Sequence, residues 1–86
     1  MKRNDSLFRL IRSLSKSEKR FFKIYSERHV IGDQNNYVAL FDTIDRQKSY
    51  NEEAIIKKFA DRKFARRLPV AKNYLYELIL KSMNQY

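Results

Sequence analysis

The last long segment of the chain, residues 68–83, most constrains the fold, because it is apolar around most of a helical circumference. At about 100° per residue, its polar positions Asn73, Glu77 and Lys81, with Asn84, fall in one stripe. A surface helix needs only a narrow apolar stripe, whereas a helix that is apolar on most sides is covered by neighbours. We therefore expect an all-α fold, a compact bundle in which this C-terminal helix is central. Pro69 fits its first turn, so the helix should begin near Leu68.

Four earlier segments have apolar residues at helical spacing, which predicts about five helices in all. They cover approximately residues 6–13, 16–30, 37–47 and 51–60, and a basic connector with about one helical turn precedes the last helix. The expected core consists of the apolar positions of these segments: Leu7, Leu10, Ile11, Leu14, Phe21, Phe22, Ile24, Tyr25, Tyr37, Leu40, Phe41, Ile44, Ile55, Ile56, Phe59, Ala60 and Phe64, with Val70, Ala71, Tyr74, Leu75, Tyr76, Leu78, Ile79, Leu80 and Met83 from the last helix.

Helix starts are marked by local capping patterns. Asp5 or Ser6 can cap the first helix, and Ser15-Lys-Ser-Glu18 is a capping box for the second. Gly32 suits the end of the second helix, and Asn35 or Asn36 can cap the third. Asn51 is placed to cap the fourth helix, with Tyr50 and Ile55 at the positions of a hydrophobic staple.

Composition narrows the class of protein. The chain of 86 residues is short enough to form a single domain, residues 1–86. It contains no Cys, one His and one Gly. These counts disfavour a disulfide framework, a thiolate metal site and a Gly-rich phosphate loop. No apolar run reaches the length of a membrane span, and a reducing cytoplasm is the expected compartment.

No catalytic constellation is evident, so we expect a non-enzymatic protein without a cofactor. His29 falls beside the apolar arc of the second helix, where a packed histidine is the simpler interpretation. Asp42 and Asp45 share one helix face; they supply two metal ligands at most, and a solvated acidic face is the simpler interpretation.

Positive charge is the strongest compositional signal. The formal net charge is +9, and it is segregated: residues 1–31 carry +6, residues 32–61 carry −2 and residues 62–86 carry +5. If the two basic segments fold together they form one positive face, which raises nucleic acid as a partner. The candidate phosphate-contacting residues are Lys16, Lys19, Arg20, Lys23, Arg62, Lys63, Arg66, Arg67 and Lys72. Ordinary solubility of a basic protein explains the same residues.

Two functional hypotheses remain open. The first is an interaction module that docks a partner helix or subunit through Tyr76, Leu80 and Met83, on the second side of the last helix. The alternative is a nucleic-acid-binding domain of helix-turn-helix-like order. Its long connector and last helix with few polar side chains favour phosphate-backbone contacts over base recognition. A membrane is not an expected partner.

Two stretches carry a resemblance: residues 14–23 (LSKSEKRFFK) and residues 68–81 (LPVAKNYLYELILK). The chain is similar there to the N-terminal helical segment of a family of longer, uncharacterised bacterial proteins with features of helical repeats. The similarity spans nearly the whole chain and carries no activity. It implies an amino-terminal helical module, with the open side of the last helix covered by later segments of those longer proteins.

Overall fold

A computed structural model of the chain describes residues 6–29 and 34–86, except for the side chains of residues 29, 34, 35, 64 and 65. Five α-helices and no strand occur in these residues. The helices are α1 (Ser6–Ser13), α2 (Lys16–His29), α3 (Gln34–Arg46), α4 (Glu52–Lys58) and α5 (Leu68–Gln85), with a 3-10 helix (Lys63–Arg67) before α5. The predicted all-α bundle is confirmed.

Helix α5 is the central element, as the sequence predicts. It contacts α1, α2 and α3, and α3 also contacts α1, α2 and α4. Leu75 and Ile79 are fully buried at the middle of α5, and the buried rings of Phe22 and Phe41 stack at 4.7 Å between centroids where α2 meets α3. The core therefore lies between α3 and α5, with α1 and α2 closing its two sides.

Side-chain contacts give the directions of the helices. Ser17, near the start of α2, meets Tyr86 just after α5, so α2 runs antiparallel to α5. Lys19 and Lys23 pair in reverse order with Asp45 and Asp42, so α2 also runs antiparallel to α3.

The two neighbours of α5 lie on opposite edges of its buried arc. Lys72 points toward Glu52 and Tyr50, and Tyr50 packs on Phe8 of α1, so α1 lies on the Lys72 side. Leu78 lies at the other limit of the buried arc, and α2 contacts α5, so we place α2 on that side. We call these the α1 edge and the α2 edge of α5.

The predicted caps at Ser15 and Asn51 are confirmed. The Ser15 backbone N–H donates to Glu18 Oε1 at 2.7 Å, and the Glu18 N–H donates to Ser15 Oγ at 3.2 Å, which closes the capping box. Asn51 Oδ1 accepts from the Ala54 N–H at 3.1 Å. The capping predictions for Asp5 and Gly32 fall outside the described residues, and the inward position predicted for Phe64 concerns a side chain outside the described part of the chain.

Several residues assigned to the core from the sequence are exposed: Ile24, Ile56, Ala60, Val70, Tyr74 and Leu80. Helix α4 has only seven residues and packs mainly on α3, so one face with Ile55 and Phe59 suffices to bury it. Neighbours bury about a third of the circumference of α5, since its buried positions run over about 120° from Leu78 round to Lys72. A helical wheel identifies apolar positions, but it does not show which of them are covered by neighbouring helices.

Helix α3 begins earlier than predicted. The expected start was Tyr37, with Asn35 or Asn36 as the cap, but α3 starts at Gln34 and both asparagines lie inside it. Asn36 Oδ1 instead accepts a hydrogen bond from Arg62 at 2.8 Å. Asparagine is a frequent cap but is also tolerated in a first turn, and here it links α3 to the segment before α5.

Candidate functional site

The predicted partner-binding residues form a continuous apolar stripe on α5. Tyr76, Leu80 and Met83 are separated by four and three residues, which places them on one side of a helix. Leu80 is 44% exposed, and Tyr76 and Met83 are partly buried against the core. The stripe follows the α1 edge of α5, and no charged residue belongs to it.

The predicted phosphate-contacting residues of α2 form a cationic ridge, Lys16, Lys19, Arg20 and Lys23, and two of these four residues pair with carboxylates. Lys19 Nζ lies 2.6 Å from Asp45 Oδ1, and Lys23 Nζ lies 2.7 Å from Asp42 Oδ1. The two carboxylates considered as metal ligands thus join α2 to α3. Lys16 and Arg20 are exposed.

The basic residues before α5 are mostly exposed. Lys63, Arg66 and Arg67 lie on the 3-10 helix with solvent-facing side chains. Arg62 differs, because its guanidinium donates to Asn36 and lies 5.4 Å from the centroid of the Phe59 ring. Arg62 therefore helps to hold the connector against α3 and α4.

Lys72 requires a correction, because the sequence assigned it both to an apolar arc and to the phosphate-contacting set. Its side chain is buried, with 8% of the residue exposed. The ammonium donates to Glu52 Oε1 at 2.9 Å and lies 4.6 Å from the centroid of the Tyr50 ring. A buried ammonium with a carboxylate and a ring as partners belongs to the interior of the fold rather than to a phosphate-binding surface.

The structure does not bring the two basic sets into one compact patch. Lys16 and Arg20 lie near the carboxyl end of α5, since Ser17 meets Tyr86 there. Arg66 and Arg67 precede its amino end. The 18 residues of α5 separate them by about 27 Å at 1.5 Å per residue. A partner that uses both sets must extend along α5.

The cluster of Tyr50, Glu52 and Lys72 is a feature that sequence reasoning missed. The Tyr50 hydroxyl donates to Glu52 Oε1 at 2.9 Å, the same oxygen that accepts from Lys72. Hydrogen bonds from Lys72 and then Tyr50 lower the pKa of Glu52 below its ordinary 4.5. Burial, followed by the bond to Glu52, raises the pKa of Tyr50. The 20-residue separation between Glu52 and Lys72 leaves no local sequence signal for this contact.

A second missed contact closes the end of α3. Arg12 Nη1 donates to the Gln47 carbonyl at 3.0 Å and to the Asp45 carbonyl at 3.5 Å, and its guanidinium lies 5.6 Å from the Phe8 ring centroid. A cation at carbonyls without an intrahelical partner is favourable both as a cap and toward the helix dipole. The exposed Arg12 of α1 therefore has a structural role, because it caps the end of α3.

The described residues show no geometry that would support metal binding or membrane insertion. Within the described parts of the chain, no three His, Cys, Asp or Glu residues are grouped to hold a metal ion. The side chain of His29 lies outside those parts. None of the described helices is both long and apolar enough to cross a membrane.

No protein-family model, curated protein or solved structure matches this chain. The resemblance to the family of longer bacterial proteins stays a prediction. Function has therefore to be inferred from the geometry of α5 and its two edges.

Proposed function

We propose that this chain is a non-enzymatic interaction module that docks an amphipathic helix of a partner protein on the α1 edge of α5. The observation that supports it is Leu80, an apolar side chain 44% exposed between the partly buried Tyr76 and Met83. Anchors spaced at i, i+4 and i+7 are the pattern by which one helix recognises another.

The proposal names a different protein rather than a second copy, because of charge. Each chain carries a net charge of +9, so two copies repel each other at low and moderate ionic strength. A partner helix with Leu in its apolar stripe and Glu on its flanks is complementary to both the stripe and the surrounding charge.

Leu80→Glu tests this proposal, because a carboxylate in the stripe opposes docking of both the apolar and the acidic parts of the partner helix. The matched control is Ile56→Glu on α4, where the exposed fraction is 43% and the change in chemistry is the same. The probe is a labelled synthetic amphipathic helix with a Leu stripe and Glu flanks, against the same composition in scrambled order. We expect the ordered peptide to bind the wild-type chain and Ile56→Glu, and to bind Leu80→Glu at least about tenfold more weakly.

Three outcomes contradict the proposal. Equal peptide binding by both variants removes Leu80 from the interface. Loss of helix content in Leu80→Glu by circular dichroism makes that residue part of the core. Sedimentation of the wild-type chain as a dimer that Leu80→Glu dissociates makes a second copy the occupant.

The nucleic-acid alternative of helix-turn-helix-like order has less support. Lys72 is buried, and Lys19 and Lys23 are paired with carboxylates, so three of its cations are already engaged. The two remaining groups lie at opposite ends of α5 rather than at one junction of two helices.

A further inference from the structure

Two groups of aromatic rings, which we call the aromatic strip, lie in the groove along the α2 edge of α5. At one end the Phe21 and Tyr86 rings meet edge-to-face at 5.3 Å, and Tyr25 follows Phe21 at 6.4 Å. Toward the amino end of α5, Tyr74 packs on Tyr37 of α3 at 4.8 Å. Tyr74 and Tyr86 are twelve residues apart, so the two groups are separated by about 18 Å along α5.

The residues at the two ends of the strip are exposed. Tyr86 is 61% exposed and Tyr74 is 43% exposed, and Phe21 and Tyr25 are partly buried. The Tyr86 hydroxyl lies 2.7 Å from Ser17 Oγ, which fixes the ring beside Phe21. A fixed aromatic ring with an open surface can stack on a flat ligand at little entropic cost.

Exposed cations lie near the strip on both helices. Arg28, seven residues after Phe21, shares its face of α2, and Lys81, seven residues after Tyr74, shares its face of α5. Arg66 and Arg67 precede α5, whereas Lys16 and Arg20 lie farther round α2, toward Lys23. Among the described residues, none of these six forms an ion pair with a carboxylate. Glu27 and Glu77 are the exposed acids of the two helices, so the surface keeps a clear positive excess.

Open aromatic rings between cations favour one ligand class. Unpaired bases stack on aromatic side chains while the backbone follows the positive charges, and this mode tolerates any sequence. Paired bases in a duplex are not available for such stacking. An acidic peptide needs the cations only and leaves the rings unused.

We propose that this groove binds single-stranded nucleic acid, with Tyr86, Phe21 and Tyr74 stacking on bases and the exposed cations of α2 and α5 contacting phosphates. The two basic sets then serve as the ends of one track. The track is about 27 Å long, which corresponds to about eight nucleotides at the stacked phosphate spacing of ~3.4 Å. This groove lies on the side of α5 opposite the stripe proposed for protein docking, so the two proposals fail independently.

The first experiment is a fluorescence-anisotropy titration with labelled single strands of about 12 nucleotides, as oligo(dT) and oligo(U), and the matching duplex. We expect the single strands to bind more tightly than the duplex, and polyglutamate to compete weakly. Equal affinity for the duplex, or equally strong competition by polyglutamate, overturns the proposal and reduces the surface to general attraction for polyanions.

Ring variants separate stacking from charge. Replacing Tyr86 or Tyr74 with Ala should weaken single-strand binding roughly tenfold for each ring, whereas Tyr86→Phe keeps the ring and should keep the affinity. The pair Arg28→Ala and Lys81→Ala should lower the slope of log K against log salt by about 1.4, since each phosphate contact contributes ~0.7. Matched cation controls are Lys57→Ala and Lys58→Ala on α4, which should leave the slope unchanged.

Two results with the ring variants would contradict stacking on the aromatic strip. Unchanged affinity in the variant lacking both Tyr86 and Tyr74, with helix content intact by circular dichroism, rules out the strip. Loss of affinity in Tyr86→Phe assigns the effect to the hydroxyl contact with Ser17 rather than to stacking. The chain has six Tyr and no Trp, so quenching of tyrosine fluorescence on binding gives an independent signal of ring contact.

Discussion

The two edges of α5 differ in chemistry although they belong to one helix. The α1 edge presents Tyr76, Leu80 and Met83 without a charged neighbour in the stripe. The α2 edge presents Tyr74 and Lys81, with Tyr86 beyond the helix end. Tyr74 and Tyr76 are only two residues apart, but about 160° separates them around the helix axis.

The difference shows that the neighbouring helix decides what an exposed position on α5 can do. Helix α1 has eight residues, is about 12 Å long and buries Leu7 and Ile11 in the core. Helix α2 has 14 residues, is about 21 Å long and adds Arg28 and the Phe21 ring beside α5. Similar exposed apolar area on α5 is therefore suited to a protein helix on one edge and to bases and phosphates on the other.

The largest expected loss of stability comes from a buried residue of α5 that lies between the two edges. Ile79 is fully buried between them, so Ile79→Ala removes packed atoms and leaves a cavity. We expect a loss of about 2–5 kcal/mol in the free energy of unfolding, measured by urea denaturation, with both binding activities lost in parallel. Val70→Ala on the same helix, where the side chain is mostly exposed, is the control and should change stability little. If binding at one edge persisted after the core had unfolded, that edge would not depend on the common core.

A smaller effect is expected at Glu52, which anchors the α1 edge through Lys72. Glu52→Gln leaves the buried ammonium without its carboxylate, at a cost of about 1–2 kcal/mol, since the partly exposed Glu52 is screened by water. Glu53→Gln is the matched control, because Glu53 shares the first turn of α4 but is exposed. Adding Lys72→Met to Glu52→Gln should restore most of the loss, as measured by thermal unfolding.

The same carboxylate predicts a pH dependence. Because the folded pKa of Glu52 is lower than its ordinary 4.5, its contribution to stability is complete above that value and is lost as the pH falls through the folded pKa. The melting temperature of the wild-type chain should therefore fall more steeply below about pH 4.5 than that of Glu52→Gln. Parallel curves would show that the pair contributes no net stability.

The smallest expected change in stability comes from the two ion pairs of α2. It tests which cations on the α2 side contribute to nucleic-acid binding. Asp42→Asn with Asp45→Asn releases Lys23 and Lys19 at a cost of up to about 1 kcal/mol for each pair. These lysines face α3, away from the groove at α5, so single-strand affinity should rise only as much as in a control with the same charge change, Glu53→Gln with Asp61→Asn. A much larger rise in the first variant would move the nucleic-acid surface to the α2 ridge predicted from the sequence.

Local patterns predicted the helices well, because they act over three or four residues. The Ser15 capping box, the Asn51 cap and the bounds of α1 follow from side chains that bond to the nearest backbone groups. The central position of α5 follows from its apolar circumference. These features need no knowledge of distant contacts.

The candidate surfaces were only partly predictable, because they depend on contacts between distant residues. The sequence places Tyr76, Leu80 and Met83 on one side of α5, but it also predicts a phosphate contact for Lys72, which is buried beside Glu52. The ion pairs of Lys19 and Lys23 join residues 26 and 19 positions apart, so the sequence alone does not show that two of the four cations of α2 pair with carboxylates. Tyr86, the most exposed large ring, lies at the end of a helix where periodicity gives no signal.

The position of α5 in the chain has a consequence for biosynthesis. Leu7 and Ile11 of α1 are buried in a core that requires α5, which emerges from the ribosome about 60 residues later, or several seconds at ~5–20 residues per second. Until then the nascent helices present uncovered apolar faces, and contacts such as Ser17 with Tyr86 span 69 positions. The helices can form early because their contacts are local, but the tertiary fold has to wait for α5. The nascent chain therefore exposes apolar faces during that interval, and tertiary folding on the ribosome should become detectable only once α5 has left the exit tunnel.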